Sequence, residues 1–171
     1  MTTMSALQQW KRCPEFIEID DKSRSIRLLK CGDRYALRGS LPERQASEVE
    51  ARLPGDDISI IRGVPPADLR PEMELLPVYA AAENTPPAVA TERLFLRLRD
   101  DLAIDAVRDD IDTLGFDIDD LPAYAPHSAW LRPKSGLVVD ALSKLERLRA
   151  LPGAARVDPQ LLRPMSRKKA P

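Results

Sequence analysis

The residue types that could support catalysis are few in this chain, and their spacing is poor for it. His127 is the only histidine, and it lies beside Ser128 and near Ser135. A serine–histidine–carboxylate site needs a fold that orients the histidine between its partners, and adjacency in sequence does not supply that geometry. The chain has no G-x-S-x-G nucleophile motif and no glycine-rich phosphate loop. We therefore predict a protein that is not an enzyme.

Metal and cofactor sites are not predicted either. Cys13 and Cys31 are the only cysteines, and with one histidine they do not give the spacing of a structural zinc site. They are interpreted as two reduced thiols, with a single disulfide as the alternative. The acidic run 100–120 lacks the D-x-D-x-D-G register of a calcium loop. It predicts the solvated face and caps of a helix; alternatively, one carboxylate caps a helix N-terminus on a partner protein.

The charge balance of the chain argues against binding to nucleic acid. Its 171 residues carry 26 basic and 27 acidic side chains, for a net charge of −1, whereas nucleic-acid binding needs a basic excess that displaces counterions. Hydrophobic residues make up 43% of the chain, enough to form a core. No stretch has the length of a membrane span and the N-terminus lacks the apolar region of a signal peptide. These features predict a cytoplasmic protein without a membrane partner.

The elements that would position any site are clearest in the second half. Leu94, Leu96 and Leu98 alternate with arginines, which predicts a half-buried strand. Apolar spacing then predicts helices over 102–114 and 136–151, with Gly115 as a left-handed cap of the first. Extended segments are predicted at 116–124, 128–131 and 155–158, the last ended by Pro159. In the first half, short strands are expected, with a short helix over 42–53.

This order predicts an α+β fold with a ferredoxin-like (split βαβ) unit over residues 91–163, in which two helices cover one face of an antiparallel sheet. A small β-rich region, 14–90, precedes it, and a flexible tail, 164–171, follows. The other face of the sheet must be solvated or meet a partner. RNA-recognition domains of this shape stack bases on sheet aromatics, but the pattern places Phe95 alone on that face.

Three short segments carry a resemblance to a known family. They are Leu94-Phe95-Leu96-Arg97-Leu98 with the acidic helix start after it, the ending Leu151-Pro152-Gly153-Ala154-Ala155-Arg156-Val157-Asp158-Pro159, and Leu76-Pro77-Val78-Tyr79 upstream. Together they are similar to the N-terminal prodomain of subtilisin-like serine proteases. Ala154 stands where that family usually has valine. Family prodomains act as inhibitors and chaperones of their enzyme.

The resemblance implies a stand-alone prodomain-like protein, because no protease domain follows in this sequence. It would be a monomer when free and a heterodimer with a separately encoded subtilisin-like protease, whose substrate cleft would hold the C-terminal tail. An extended tail can add a strand to an exposed edge of the enzyme. The tail residues implied as partner-binding are Leu161, Leu162, Arg163, Pro164, Met165 and Ser166.

Two other functions stay open from the sequence. The first is a non-catalytic adaptor whose sheet face binds a partner that is not a protease. The second is a small-molecule sensor of ferredoxin-like form, which is normally a dimer.

Overall fold

The computed structural model describes residues 4–21, 24–41, 43–53, 55, 57–70, 72–82 and 85–164. Strands are the main secondary structure, at 42% of the described residues against 22% for helices. The elements are α1 (Ala6–Arg12), β1 (Phe16–Asp21), β2 (Arg24–Lys30), β3 (Arg34–Arg38), α2 (Glu43–Ala46), β4 (Val49–Leu53), β5 (Ile58–Arg62), β6 (Glu74–Leu76), β7 (Val78–Ala80), β8 (Ala88–Leu98), a 3-10 turn (Ile104–Val107), α3 (Arg108–Thr113), β9 (Phe116–Asp120), β10 (Ser128–Pro133), α4 (Val138–Ser143), α5 (Leu145–Arg149) and β11 (Ala154–Leu162).

The chain divides into two compact units. The first contains the described residues of 4–12, 28–90 and 161–164, and the second contains those of 13–27 and 91–160. Strands β2, β8 and β11 therefore each contribute residues to both units. The division into 14–90, 91–163 and 164–171 stays a prediction.

The first unit is built around a four-stranded sheet in the order β4-β5-β3-β6. One apolar cluster joins residues of this sheet to Trp10 and Met73; it is formed by Trp10, Tyr35, Leu37, Ile61, Met73 and Leu75. The predicted helix over 42–53 is wrong: only Glu43–Ala46 is helical, and Val49–Leu53 is strand β4, paired antiparallel with β5. The spacing of apolar residues is compatible with a helix there. However, antiparallel pairing with Ile58–Ile61 provides hydrogen-bond partners for the backbone of this segment as a strand.

The second unit is organised by strand β8, which pairs with β10 and β11, while β10 also pairs with β9. The alternating leucines Leu94, Leu96 and Leu98 are fully buried, which confirms the predicted strand. Helix α3 contacts β9, and α4 contacts β10. Gly115 follows α3 with a φ of 91°, which confirms the predicted left-handed position.

The predicted α+β, ferredoxin-like class is wrong, although the order strand, helix, strand, strand, helix, strand is present from β8 onward. Strand β8 does not end with the predicted unit: its residues Ala88 and Val89 pair with β7, and the sheet has seven strands. The chain is mostly β because these added strands outweigh the helices.

The two helices expected in this part of the chain are shorter than predicted. The first begins as a 3-10 turn and becomes α-helical only at Arg108. The second is interrupted at Lys144 (φ −105°, ψ 6°), whose ammonium donates a hydrogen bond to the Leu114 carbonyl at 2.9 Å. Apolar periodicity marks the buried face of a helix but does not report where its backbone breaks.

Strand β11 also differs from its prediction. It continues past the expected end at Pro159, which is buried, as far as Leu162. In the part of the chain that the structure describes, no helix has the length and apolar character needed to cross a membrane.

Candidate protein-binding surface

One face of the sheet in the second unit carries aromatic and arginine side chains in place of a covering layer. Because Leu94, Leu96 and Leu98 are buried, the alternate residues of β8 point to the opposite face. The register of β10 places Trp130 directly opposite Phe95. We call the set Arg93, Phe95, Arg97, Trp130 and Arg132 the open face.

The centre of the open face is a cluster of two rings and a guanidinium group. The ring centroids of Phe95 and Trp130 lie 5.2 Å apart, with the planes tilted by 59°. The Arg93 guanidinium carbon lies 4.7 Å from the centroid of the Trp130 ring, and Arg93 Nε lies 2.8 Å from Asp119 Oδ2. Both rings are half-buried. Contacts of this kind restrict side-chain rotation, so the cluster presents a pre-organised apolar surface.

The arginines of the open face are neutralised by carboxylates. Arg93 pairs with Asp119 at 2.8 Å, Arg97 with Asp100 at 3.4 Å, and Arg132 with Glu92 at 3.0 Å. The face therefore has hydrogen-bonding capacity at its borders without a basic excess. Nucleic-acid binding depends on cations that can replace counterions along the phosphates, and this arrangement does not offer them.

A further ion-pair group lies at the neighbouring end of β10. Lys134 Nζ lies 2.7 Å from Asp112 Oδ1 and 3.0 Å from Asp117 Oδ1. These hydrogen bonds, that of Asp112 first, raise the pKa of Lys134. The group is solvent-exposed and contains one positive and two negative charges, so unlike the open face it carries a net negative charge.

The six residues predicted as a partner-binding tail differ in secondary structure and in exposure. Leu161 and Leu162 are the last residues of strand β11 and are half-buried. Arg163 is exposed and Pro164 is half-buried after the strand. Met165 and Ser166 lie outside the described residues. The structure thus ties the first two into the sheet, and the open face contains none of the six.

Two other residues considered in the sequence, His127 and Cys31, lie outside the open face. His127 is half-buried, and its carbonyl accepts a hydrogen bond from Leu98 N at 2.8 Å. Burial raises the pKa of the Cys31 thiol, which makes it a weaker nucleophile. Among the described residues, no group of three or more histidine, cysteine or acidic side chains is placed to hold a metal ion.

Sequence reasoning missed the aromatic pair. It placed Phe95 alone on the uncovered face, and this is wrong because Trp130 lies opposite it. The available signal was the alternation in β10, where Trp130 stands between the buried residues Ala129 and Leu131 and so had to point outward. Which β8 residue it would meet depends on strand register, which the sequence does not show.

Known proteins do not identify the chain: no family model, curated protein or solved structure matches it.

Proposed function

We propose that this chain is a non-catalytic binding protein that docks onto another protein through the open face. The observation that carries this proposal is the Phe95–Trp130 pair, held under Arg93 on a sheet face that its own helices do not cover. Tryptophan and arginine are enriched among the residues that contribute most to protein–protein affinity. Because the arginines are already paired with carboxylates, the two half-buried rings are the main groups of this surface that a partner could bury.

A protein partner fits the open face better than single-stranded nucleic acid. Base-stacking proteins combine free aromatic faces with a basic groove. Here the Arg93 guanidinium already lies over the Trp130 ring, and the three arginines have acidic partners. Insertion of the two rings into an apolar depression on a protein needs neither a free ring face nor excess positive charge.

The partner to test first is a subtilisin-like serine protease, which the chain would bind and inhibit and whose folding it would assist. This choice rests on the prodomain-like segments of the sequence, since the ferredoxin-like fold that they implied is not the fold of this chain. In this mode the open face would dock on the enzyme and the residues that follow β11 would reach its substrate cleft. Arg163 is exposed at the end of the strand, and Pro164 after it would resist cleavage of that bond.

The test is an inhibition assay with a panel of purified subtilisin-like proteases and a chromogenic peptide substrate. Four proteins are compared: the full chain, Trp130→Ala, a version ending at Leu162, and Tyr124→Ala. Tyr124 is 91% exposed and lies between β9 and β10, outside the open face, so it is the matched aromatic control. Thermal unfolding of each variant verifies that it is folded.

Inhibition is expected for the full chain. Trp130→Ala should weaken it by about 30-fold, the effect of a central aromatic anchor of roughly 2 kcal/mol, whereas Tyr124→Ala should leave it unchanged. The version ending at Leu162 should also lose inhibition if the tail enters the cleft. If the chain binds the protease but does not inhibit it, the inhibitor function is contradicted and the adaptor function remains.

The docking surface itself can also be contradicted. If the full chain and a folded Trp130→Ala variant bind the same protease with equal affinity, the open face is not the docking surface. If no protease binds and oligo(dT) quenches Trp130 fluorescence in a Trp10→Phe background, with a steep salt dependence, nucleic acid replaces protein as the partner.

A further inference from the structure

Three neighbouring strands place a carboxylate beside the two rings of the open face. In the β8–β10 pair Phe95 lies opposite Trp130, and in the β10–β9 pair Trp130 lies opposite Asp120. Residues opposite each other on antiparallel strands carry their side chains on the same face of the sheet, with Cβ atoms about 5 Å apart. Phe95, Trp130 and Asp120 therefore form one line of side chains across three strands, which we call the cross-strand row.

Asp120 differs from the other carboxylates near the rings because it has no counter-ion. The register shifts between Trp130 and Leu131, so that β9 contains one extra residue at this point, Asp119. The Asp119 carboxylate pairs with Arg93 Nε at 2.8 Å. Asp120 is exposed and forms no ion pair with any residue that the structure describes. Its carboxylate is therefore available to a cation that a partner brings to the rings.

The charge of the surrounding chain has the same sign as Asp120. Residues 91–134, which include most of β8 and all of α3, β9 and β10, carry ten acidic and six basic side chains. The whole chain, in contrast, has a net charge of only −1. A negative field of this kind favours the approach of a basic surface and disfavours that of an acidic one.

We propose that the open face binds a protein segment in which a lysine or arginine stands next to a bulky apolar side chain. The apolar side chain would pack on Phe95 and Trp130, and the cation would pair with Asp120. The rings alone do not select the charge of a partner, whereas the carboxylate at the end of the cross-strand row does. This inference rests on the proposed function, because it uses the same surface, and it adds the chemical class of the partner.

The experiment is a chemical-shift titration of the isotope-labelled full chain with three acetylated and amidated peptides, Lys-Phe-Leu-Lys, Gln-Phe-Leu-Gln and Glu-Phe-Leu-Glu. The peptides share the apolar pair and differ in charge. All three are expected to shift the resonances of Phe95 and Trp130. The lysine peptide should bind about threefold to fivefold more tightly than the glutamine peptide, which is the effect of one partly exposed ion pair. The glutamate peptide should bind most weakly.

Two charge reversals test the role of the carboxylate. Asp120→Lys should reverse the order, so that the glutamate peptide binds most tightly. Asp109→Lys, at an exposed position of α3, makes the same change in net charge and should keep the original order. Thermal unfolding verifies that both variants are folded. Equal affinities of the three peptides for the unmodified chain, an unchanged order for Asp120→Lys, or the same reversal for Asp109→Lys would overturn the proposal.

Trp130→Ala separates this inference from the proposed function. If it weakens all three peptides but their order does not depend on charge, the open face remains a docking surface and only the inference about charge is overturned. If a folded Trp130→Ala variant binds every peptide as tightly as the unmodified chain, both are contradicted. If no peptide shifts Phe95 or Trp130, the inference is overturned, and the protease assay alone decides the proposed function.

Discussion

Gly153, between α5 and β11, is the position where a single methyl group should destabilise the second unit most clearly. Its φ is +81°, in the left-handed region, and its carbonyl accepts a hydrogen bond from Arg99 N at 2.9 Å. A Cβ added there would lie 2.0 Å from Leu102 Cδ1 and 3.5 Å from Leu102 Cγ. Gly153→Ala therefore combines backbone strain with an overlap that the Leu102 side chain must relieve by moving.

The magnitude follows from these two effects. A left-handed conformation costs a residue with a side chain roughly 1–2 kcal/mol, and overpacking by one methyl group typically costs about 1–3 kcal/mol. Leu102 is half-buried and its contacting atom is the end of the side chain. We therefore expect Gly153→Ala to lower the free energy of unfolding by about 3 kcal/mol.

Gly136→Ala is the matched control. Gly136 has a φ of +73°, but a Cβ there would meet no atom within 4 Å, so only the backbone term of about 1–2 kcal/mol applies. Urea unfolding followed by circular dichroism would measure both variants, and a double-mutant cycle with Leu102→Ala would isolate the overlap. Equal destabilisation by the two glycine substitutions, or a coupling energy of zero with Leu102→Ala, would refute the reasoning.

Two further predictions concern the half-buried Arg149 and the buried Tyr35. Arg149 donates hydrogen bonds from Nε (3.1 Å) and Nη2 (3.0 Å) to the Val157 carbonyl. Arg149→Met should therefore lower the free energy of unfolding by about 2–3 kcal/mol, whereas Arg147→Met, at an exposed position, should change it by less than about 0.5 kcal/mol. Equal urea midpoints for the two variants would contradict this prediction. Burial raises the pKa of the Tyr35 phenol in the folded state. The neutral phenol therefore contributes its full stabilisation below the ordinary tyrosine pKa of about 10. This contribution is lost as the pH rises through the higher pKa of the folded state. The free energy of unfolding, measured from about pH 8 to 11, should therefore decrease less steeply with pH for Tyr35→Phe than for the parent. Both proteins carry Cys31→Ser, because burial also raises the pKa of Cys31. Equal slopes for the two proteins would contradict the assignment of this pH dependence to Tyr35.

The sequence predicts which residues of the candidate surface point outward, but not which of them lie next to each other. Alternation in β8 and β10 shows which residues point away from the core, and it correctly places Leu94, Leu96 and Leu98 inside. The meeting of Phe95 and Trp130 required the register between these two strands.

The sequence by itself determined the properties that depend on near neighbours along the chain. These are the buried leucines of β8, the order of elements from β8 to β11, and the left-handed glycine after α3. Such features follow from side-chain periodicity and from the conformational freedom of glycine. The tertiary structure alone decided that Val49–Leu53 is a strand, that β8 also pairs with β7, and that the open face carries an aromatic pair. Each of these depends on backbone pairing between segments that are distant in sequence, where the available partner outweighs local preference.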